Sequence, residues 1–304
     1  MAKGSAPRLV ANPGEIGQVP EAPFFVPPDA GRLFSGRALR FEKTAPGNPF
    51  AAFLRFMGAL AKAQHAALLA LPSFPAAGPS ALAAEGFLDR SALFEKGEWE
   101  EALALLAQRL EKAAMPAEAA KALRALLARG EKERARFAAR LLEGAVPGEE
   151  GAEAFFLTAA FEVAAVREAG GFGPRRRGPS EGASCPLCGA PPFASFIHGQ
   201  GERAGLRYLV CSFCGSEWRH VRIVCTLCGG SKGIAYHAIA GGEGPAKAES
   251  CPLCNAYTKI IDAGKEKAAE AMADDLGSLA LDILMTDSGW RRGHPNPYLK
   301  SGLL

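Results

Sequence analysis

Cys185-Pro-Leu-Cys-Gly189, Cys211-Ser-Phe-Cys-Gly215, Cys225-Thr-Leu-Cys-Gly229 and Cys251-Pro-Leu-Cys-Asn255 hold all eight cysteines of the 304-residue chain. The first and third turns lie 40 positions apart, and so do the second and fourth, so a unit of Cys-x-x-Cys, 22 residues and Cys-x-x-Cys occurs twice in tandem. A tetrahedral ion needs four convergent sulfurs, and a tight turn brings the thiolates of residues i and i+3 together, so two turns complete one site. The residue after the second cysteine folds back under the metal at positive φ, which favours glycine and then asparagine. Gly189, Gly215, Gly229 and Asn255 occupy those four positions.

Spacing alone also lets Cys211 and Cys214 join Cys225 and Cys228 across ten residues, but a repeated unit is a self-contained supersecondary element. The expected pairing is therefore Cys185, Cys188, Cys211 and Cys214 at site one, and Cys225, Cys228, Cys251 and Cys254 at site two. Disulfides would need an oxidising compartment, whereas Met1 to Val10 carries neither a signal-peptide apolar stretch nor twin arginines. Thioredoxin-type redox pairs sit in βαβ surroundings, and these turns lie among short strand-like runs. Two metal ions per chain are expected. Four thiolates suit zinc, which is redox-inert, or a single iron, which can exchange an electron. Neither site lacks a cysteine, so neither offers the open coordination position of a zinc enzyme, and no catalytic residue is assigned.

The rest of the chain divides around these turns. Its 48% hydrophobic content supplies a sizeable core, and its length calls for more than one domain. No run of 18 apolar residues is free of charge; even Phe50 to Leu71 carries Arg55, Lys62 and His65, so membrane insertion is not expected. Residues 1–28, with Pro20, Pro23, Pro27 and Pro28 around Phe24 and Phe25, read as an extended arm. Residues 29–170 read as a helical domain rich in Ala, Leu, Glu, Lys and Arg. There Trp99, Leu103, Leu106 and Leu110 recur at helical spacing between Gly97 and Ala114, and Pro116 opens the next helix. Further helices cover Glu131 to Glu143 and Glu149 to Glu168, the latter turning Phe155, Phe156, Ala159 and Val163 inward. His65 has no carboxylate or histidine partner in its pattern and is not read as catalytic.

Residues 171–184, rich in glycine and proline and containing Arg175, Arg176 and Arg177, read as a solvated linker. Residues 185–224 and 225–264 are the two metal units, where Leu206, Tyr208 and Val210, then Trp218, Val221 and Ile223, alternate as short strands. Residues 181–264 carry a net charge of +1, which two loaded four-thiolate sites would take to about −3. A nucleic-acid-binding ribbon usually shows a basic face, so nucleic acid is not the expected partner, although Arg203, Arg207, Arg219 and Arg222 would form a local patch. Residues 265–304 read as one amphipathic helix, Lys265 to Met285, and a tail that Pro295 and Pro297 keep non-helical. Met272, Leu276, Leu279 and Ile283 share one face of that helix. Asp274, Asp275 and Asp282 are read as solvated or in local contact with the metal units.

One set of motifs resembles a known family. Cys185-Pro-Leu-Cys-Gly, Gly205-Leu-Arg-Tyr-Leu, Cys211-x-x-Cys followed by Glu217-Trp218 and Val221-Arg222, Lys247-Ala-Glu-Ser-Cys251, Ala273-Asp-Asp-Leu-x-Ser-Leu-x-Leu-Asp282 and Asn296-Pro-x-Leu299 resemble the FdhE family of formate dehydrogenase accessory proteins. The resemblance is close from Cys185 to Leu299 and looser in the helical half, where Asn48-Pro49 and Phe53-Leu54-Arg55-Phe56 carry it. It implies a non-enzymatic, cytoplasmic maturation factor that binds the formate dehydrogenase catalytic subunit before any export, with rubredoxin-like sites associated with iron. On that implication iron is favoured over zinc, and Tyr208, Glu217, Trp218 and Arg222, beside the metal turns, are the candidate partner contacts. Self-association stays open. Two other readings stand beside it: an iron redox carrier serving the enzyme's cofactors, and a nucleic-acid-binding zinc ribbon. The expected fold is an N-terminal all-α domain, two tandem rubredoxin-like or zinc-ribbon units, and a C-terminal helix.

Overall fold

Between residues 33 and 169 the chain follows its 3.6-residue pattern into seven helices among the described residues, which in this computed structural model are 22–71, 87–176, 183–242 and 244–299. They are α1 (Leu33–Thr44), α2 (Ala51–Ala70), α3 (Arg90–Glu95), α4 (Glu98–Leu110), α5 (Ala117–Ala128), α6 (Glu131–Glu143) and α7 (Gly151–Ala169). In α4, Gly97 turns the chain at φ 72° into a first turn carrying Glu98, Glu100 and Glu101, whose charges suit the positive end of the helix dipole. Trp99, Leu103, Leu106 and Leu110 then form a stripe that is at most 2% exposed, and Trp99 stacks on Phe161 of α7 at 5.3 Å. α7 is apolar on nearly every side, so burial drives it to the centre, against α2, α4, α5 and α6.

The strands are β1 (Phe25–Val26), β2 (Pro192–Ile197), β3 (Arg207–Cys211), β4 (Glu217–Arg219), β5 (Ala235–His237), β6 (Ala246–Cys251), β7 (Ala256–Asp262) and β8 (Arg291–Arg292). They form one sheet in the order β1-β4-β3-β2-β7-β6-β5, with β8 alongside the start of β7. Each metal unit contributes an antiparallel meander, and the two meanders join through the parallel pair β2–β7. The 40-residue period survives in the register: Leu209 faces Trp218 in the first unit, and Glu249 faces Thr258 in the second.

Several expectations change. Residues 1–21 of the arm lie outside the described residues, but Phe25 and Val26 add a strand antiparallel to β4, and Phe25 is fully buried. The linker is no free tether up to Arg176, because Phe172 belongs to the main core and the Arg175 and Phe25 backbones exchange two hydrogen bonds of 2.9 Å. Arg177 lies outside the described residues. Val221 and Ile223 stand in solvent between the units instead of in strands.

The single C-terminal helix is in fact two, α8 (Ala271–Gly277) and α9 (Leu279–Asp287). Lys259 of β7 causes the break. Its ammonium takes the carbonyls of Asp275 (2.7 Å) and Ser278 (3.0 Å), the first of which a continuous helix would give to the Leu279 N–H. Met272, Leu276 and Leu279 are buried, whereas Ile283 is 41% exposed and Asp274, Asp275 and Asp282 are enclosed.

One hydrophobic core runs unbroken from α1, α2, α4 and α7 through Leu187, Phe193 and Trp218 to Met272 and Tyr298. The second unit keeps a small core of its own, Ala248 and Tyr257 against Leu281 and Met285. No helix among the described residues is long and apolar enough to cross a membrane.

Candidate metal centre

Each cysteine turn closes by local bonds that its spacing dictates. The Cys185 N–H donates to Ala190 O (2.8 Å) and the Gly189 N–H to Cys185 O (2.9 Å); Cys225 repeats both with Gly230 (2.8 Å) and Gly229 (2.9 Å). The residues after each turn sit at φ 71° (Gly189), 69° (Gly215), 72° (Gly229) and 49° (Asn255), and Asn255 is the one non-glycine at positive φ among the described residues. The Phe213 and Cys214 N–H groups both point at Cys211 Sγ from 3.4 Å, and the Leu227 N–H points at Cys225 Sγ from 3.5 Å. Such donors favour a thiolate over a thiol.

The turns meet in the pairing that the period predicts. In site one, Cys185 Sγ lies 3.8 Å from Cys214, and Cys188 Sγ lies 3.4 Å from Cys211 and 3.6 Å from Cys214. In site two, the Cys225–Cys254 and Cys228–Cys251 sulfurs are each 3.7 Å apart. A regular tetrahedron of sulfurs at about 2.3 Å from its ion has edges of about 3.8 Å, whereas a disulfide needs about 2.05 Å. Donor set and spacing therefore fit a four-thiolate ion, and each cluster could hold one. Zinc and iron satisfy the same geometry.

The two clusters differ in burial. All four cysteines of site one are at most 3% exposed, because its turns press on the helical body. Leu187 is fully buried and its carbonyl accepts from the Leu88 N–H (2.7 Å), while Phe213 meets Phe161 of α7 at 6.4 Å. In site two, Cys225 and Cys251 are buried, Cys254 is half-buried and Cys228 is exposed. Leu253, between the last two ligands, is 65% exposed.

Of the four candidate partner contacts, Tyr208 and Trp218 prove to be core. They are 0% and 1% exposed; the Tyr208 hydroxyl donates to Pro23 O (2.6 Å) and Trp218 pairs with Phe25. Alternation within β3 and β4 gave no sign that a segment nearly 200 positions away covers this end of the sheet. Glu217 is half-buried against His198 (2.7 Å) and Arg203. Burial pushes its carboxyl up, but these two neighbours outweigh that and hold it below the usual range. Arg222 alone is exposed. The anticipated basic patch loses Arg207, which is 1% exposed and grips Glu249 of the second unit with two bonds, 2.9 and 3.0 Å, and its Arg203 is paired with Glu217, while Arg219 and Arg222 stay exposed.

What sequence reasoning missed is a set of buried charges within and between the helical body, β7 and the C-terminal segment. Arg37 meets Glu162 (2.8 Å), Arg40 meets Asp274 (2.7 Å), Arg292 meets Asp275 (2.8 Å), and Lys259 pairs with Asp282. Tyr298 bonds Glu162 and Gln64, and Asn296 bonds Asp275 (2.7 Å). The signal was present in the Ala273-Asp-Asp and Asn296-Pro motifs, which spacing alone could not connect.

A helical body fused to one sheet that carries two closed four-cysteine clusters defines a two-site protein of the rubredoxin-like or zinc-ribbon kind. Models of the FdhE N-terminal region, FdhE central domain and FdhE C-terminal domain match residues 22–181, 184–222 and 223–299. An FdhE homolog from Rhizobium meliloti is 35% identical over 295 residues, covering 95% of this chain and 96% of that protein. One from Pseudomonas putida is 33% identical over 308 residues, covering 97% and 96%. The crystal structure of the FdhE protein from Pseudomonas aeruginosa matches with a TM-score of 0.76 at 33% identity, covering 91% of this chain and 98% of that one. The chain belongs to the FdhE family of formate dehydrogenase accessory proteins.

Proposed function

We propose that this chain is a non-catalytic maturation factor that docks on the catalytic subunit of formate dehydrogenase in the cytoplasm, with an ion held at each four-cysteine site. The observation that carries this reading is a family match along the described chain, joined to two clusters that keep all four cysteines. A bound ion would supply a rigid cross-link at each cluster and, if it is iron, a one-electron couple. The protein's own residues divide the work: site one clamps the first unit to the helical body through Leu187 and Phe213, and site two turns Cys228 outward. An affinity-tagged chain purified under reducing conditions from cells expressing the enzyme should bring the catalytic subunit with it. Consistent absence of that subunit would contradict the reading.

Exposure of Cys228 favours a second reading, an electron carrier whose outward cluster meets the partner. Ferric iron on four thiolates is coloured and zinc is not. A colourless, zinc-loaded preparation from the native host would end that reading. The nucleic-acid ribbon is less well supported, since Arg207 of its motivating patch is buried on Glu249 and Arg203 is paired with Glu217.

A further inference from the structure

β5 ends the sheet, and its outer edge pairs with nothing among the described residues. The internal repeat indicates what belongs there. In the first unit the equivalent strand, β2, has β3 on one side and β7 on the other, in parallel, with Ser195, Phe196 and Ile197 opposite Ile260, Ile261 and Asp262. Ser195 pairs with Leu209 and Tyr236 with Glu249, and Leu209 and Glu249 are one 40-residue period apart. Tyr236, His237 and Ala238 therefore occupy the places of Ser195, Phe196 and Ile197. The edge that the second unit fills on the first is, among the described residues, open on the second. Its short length is no bar, because the opposite end of the sheet accepts β1, a strand of two residues.

The surroundings of this edge are apolar. Of eleven exposed large hydrophobic residues among the described residues, five fall between positions 221 and 253: Val221, Ile223, Tyr236, Ile239 and Leu253. Arg222, between Val221 and Ile223, accepts from the Tyr236 hydroxyl (3.3 Å), and Gly233, three residues before Tyr236, packs against Pro252, next to Leu253 and site two. Exposed apolar residues concentrated beside an unpaired edge mark an interaction surface.

We propose that the outer edge of β5 takes an extended, apolar segment of the formate dehydrogenase catalytic subunit as an added parallel strand, as β2 takes Ile260 and Ile261 of β7. Main-chain hydrogen bonds would hold the segment, and its side chains would cover Tyr236 and Ile239. The proposal rests on the docking reading and specifies its surface. Hydrogen–deuterium exchange of the full metal-loaded chain, with and without the purified subunit, tests it. Amides between residues 235 and 239 should exchange at least tenfold more slowly in the complex, and Ile239→Glu should weaken binding at least tenfold with metal content unchanged. Binding without protection of 235–239 overturns this proposal alone. Protection that instead grows with chain concentration, without the subunit, assigns the edge to a second copy and also overturns it. No binding by the unaltered chain overturns the docking reading itself.

Discussion

Lys259 and Asp275 are both fully enclosed, and they survive burial because Asp282, Arg292 and the carbonyls of α8 complete their partners. Removing one member leaves uncompensated buried charge, so Lys259→Met should cost about 3–5 kcal/mol. Urea unfolding checks this, and a loss below about 1 kcal/mol would show the pair to be dispensable. His294 is a second residue whose burial has a measurable consequence. Burial, helped by the positive charges of Arg292 and Arg207, pulls its pKa from 6.5 down to about 4 and outweighs the bond to Thr226, which acts the other way. Below pH 6.5 the unfolded chain takes up a proton there that the folded chain refuses until about pH 4, so the folded state loses stability as pH falls through that window. Between pH 7 and 5 the unaltered protein should lose roughly 2 kcal/mol more than His294→Gln, and equal losses would remove His294 from the account. None of these enclosures was legible from the residues alone. A helical pattern shows which side chains share a face, and Asp274, Asp275 and Asp282 were read as solvated or in local contact with the metal units; the contact holds for Asp275 and Asp282 through Lys259, whereas nothing local revealed Arg40 or Arg292.

Among the elements, the turns were legible because their rules are local: cysteines three apart, a positive-φ residue next, and a period of 40 to pair them. The strands were harder. β2 is buried along all six residues, so both its faces are covered and alternation, the usual sign of a strand, does not mark it, whereas β3, also buried along all five, was marked by Leu206, Tyr208 and Val210. β1 was hidden for a different reason, since a two-residue strand takes its identity from β4, far along the chain. Its Phe25 fills the core between Trp218 and Arg175, and Phe25→Ala should cost about 3–5 kcal/mol, read from the urea midpoint. Tyr208→Phe removes only the bond to Pro23 O, and should cost about 1 kcal/mol. A Phe25→Ala effect no larger than that of Tyr208→Phe would mean that the arm merely rests on the sheet.

On the scale of the whole molecule, the helical body and the first metal unit share one core that reaches Ile261 at the end of β7, while the rest of the second unit stands outward with a small core and an edge unpaired among the described residues. The order of modules was readable from composition and cysteine period; the unequal burial of two near-identical sites was not, because it depends on which unit the helices cover. That inequality predicts unequal lability. Cys188→Ser should lower metal content from two ions per chain to one and destabilise the entire fold, whereas Cys228→Ser should lower the metal content equally and leave the helical body intact, by metal analysis and circular dichroism. The most direct measurement of the two-site account is native mass spectrometry of the full chain during titration with a chelator, with helical content followed in parallel. One ion should leave first with helicity preserved, and the second should leave together with unfolding. Simultaneous departure of both ions, or a chain from its own host that carries none, would contradict the two-site account.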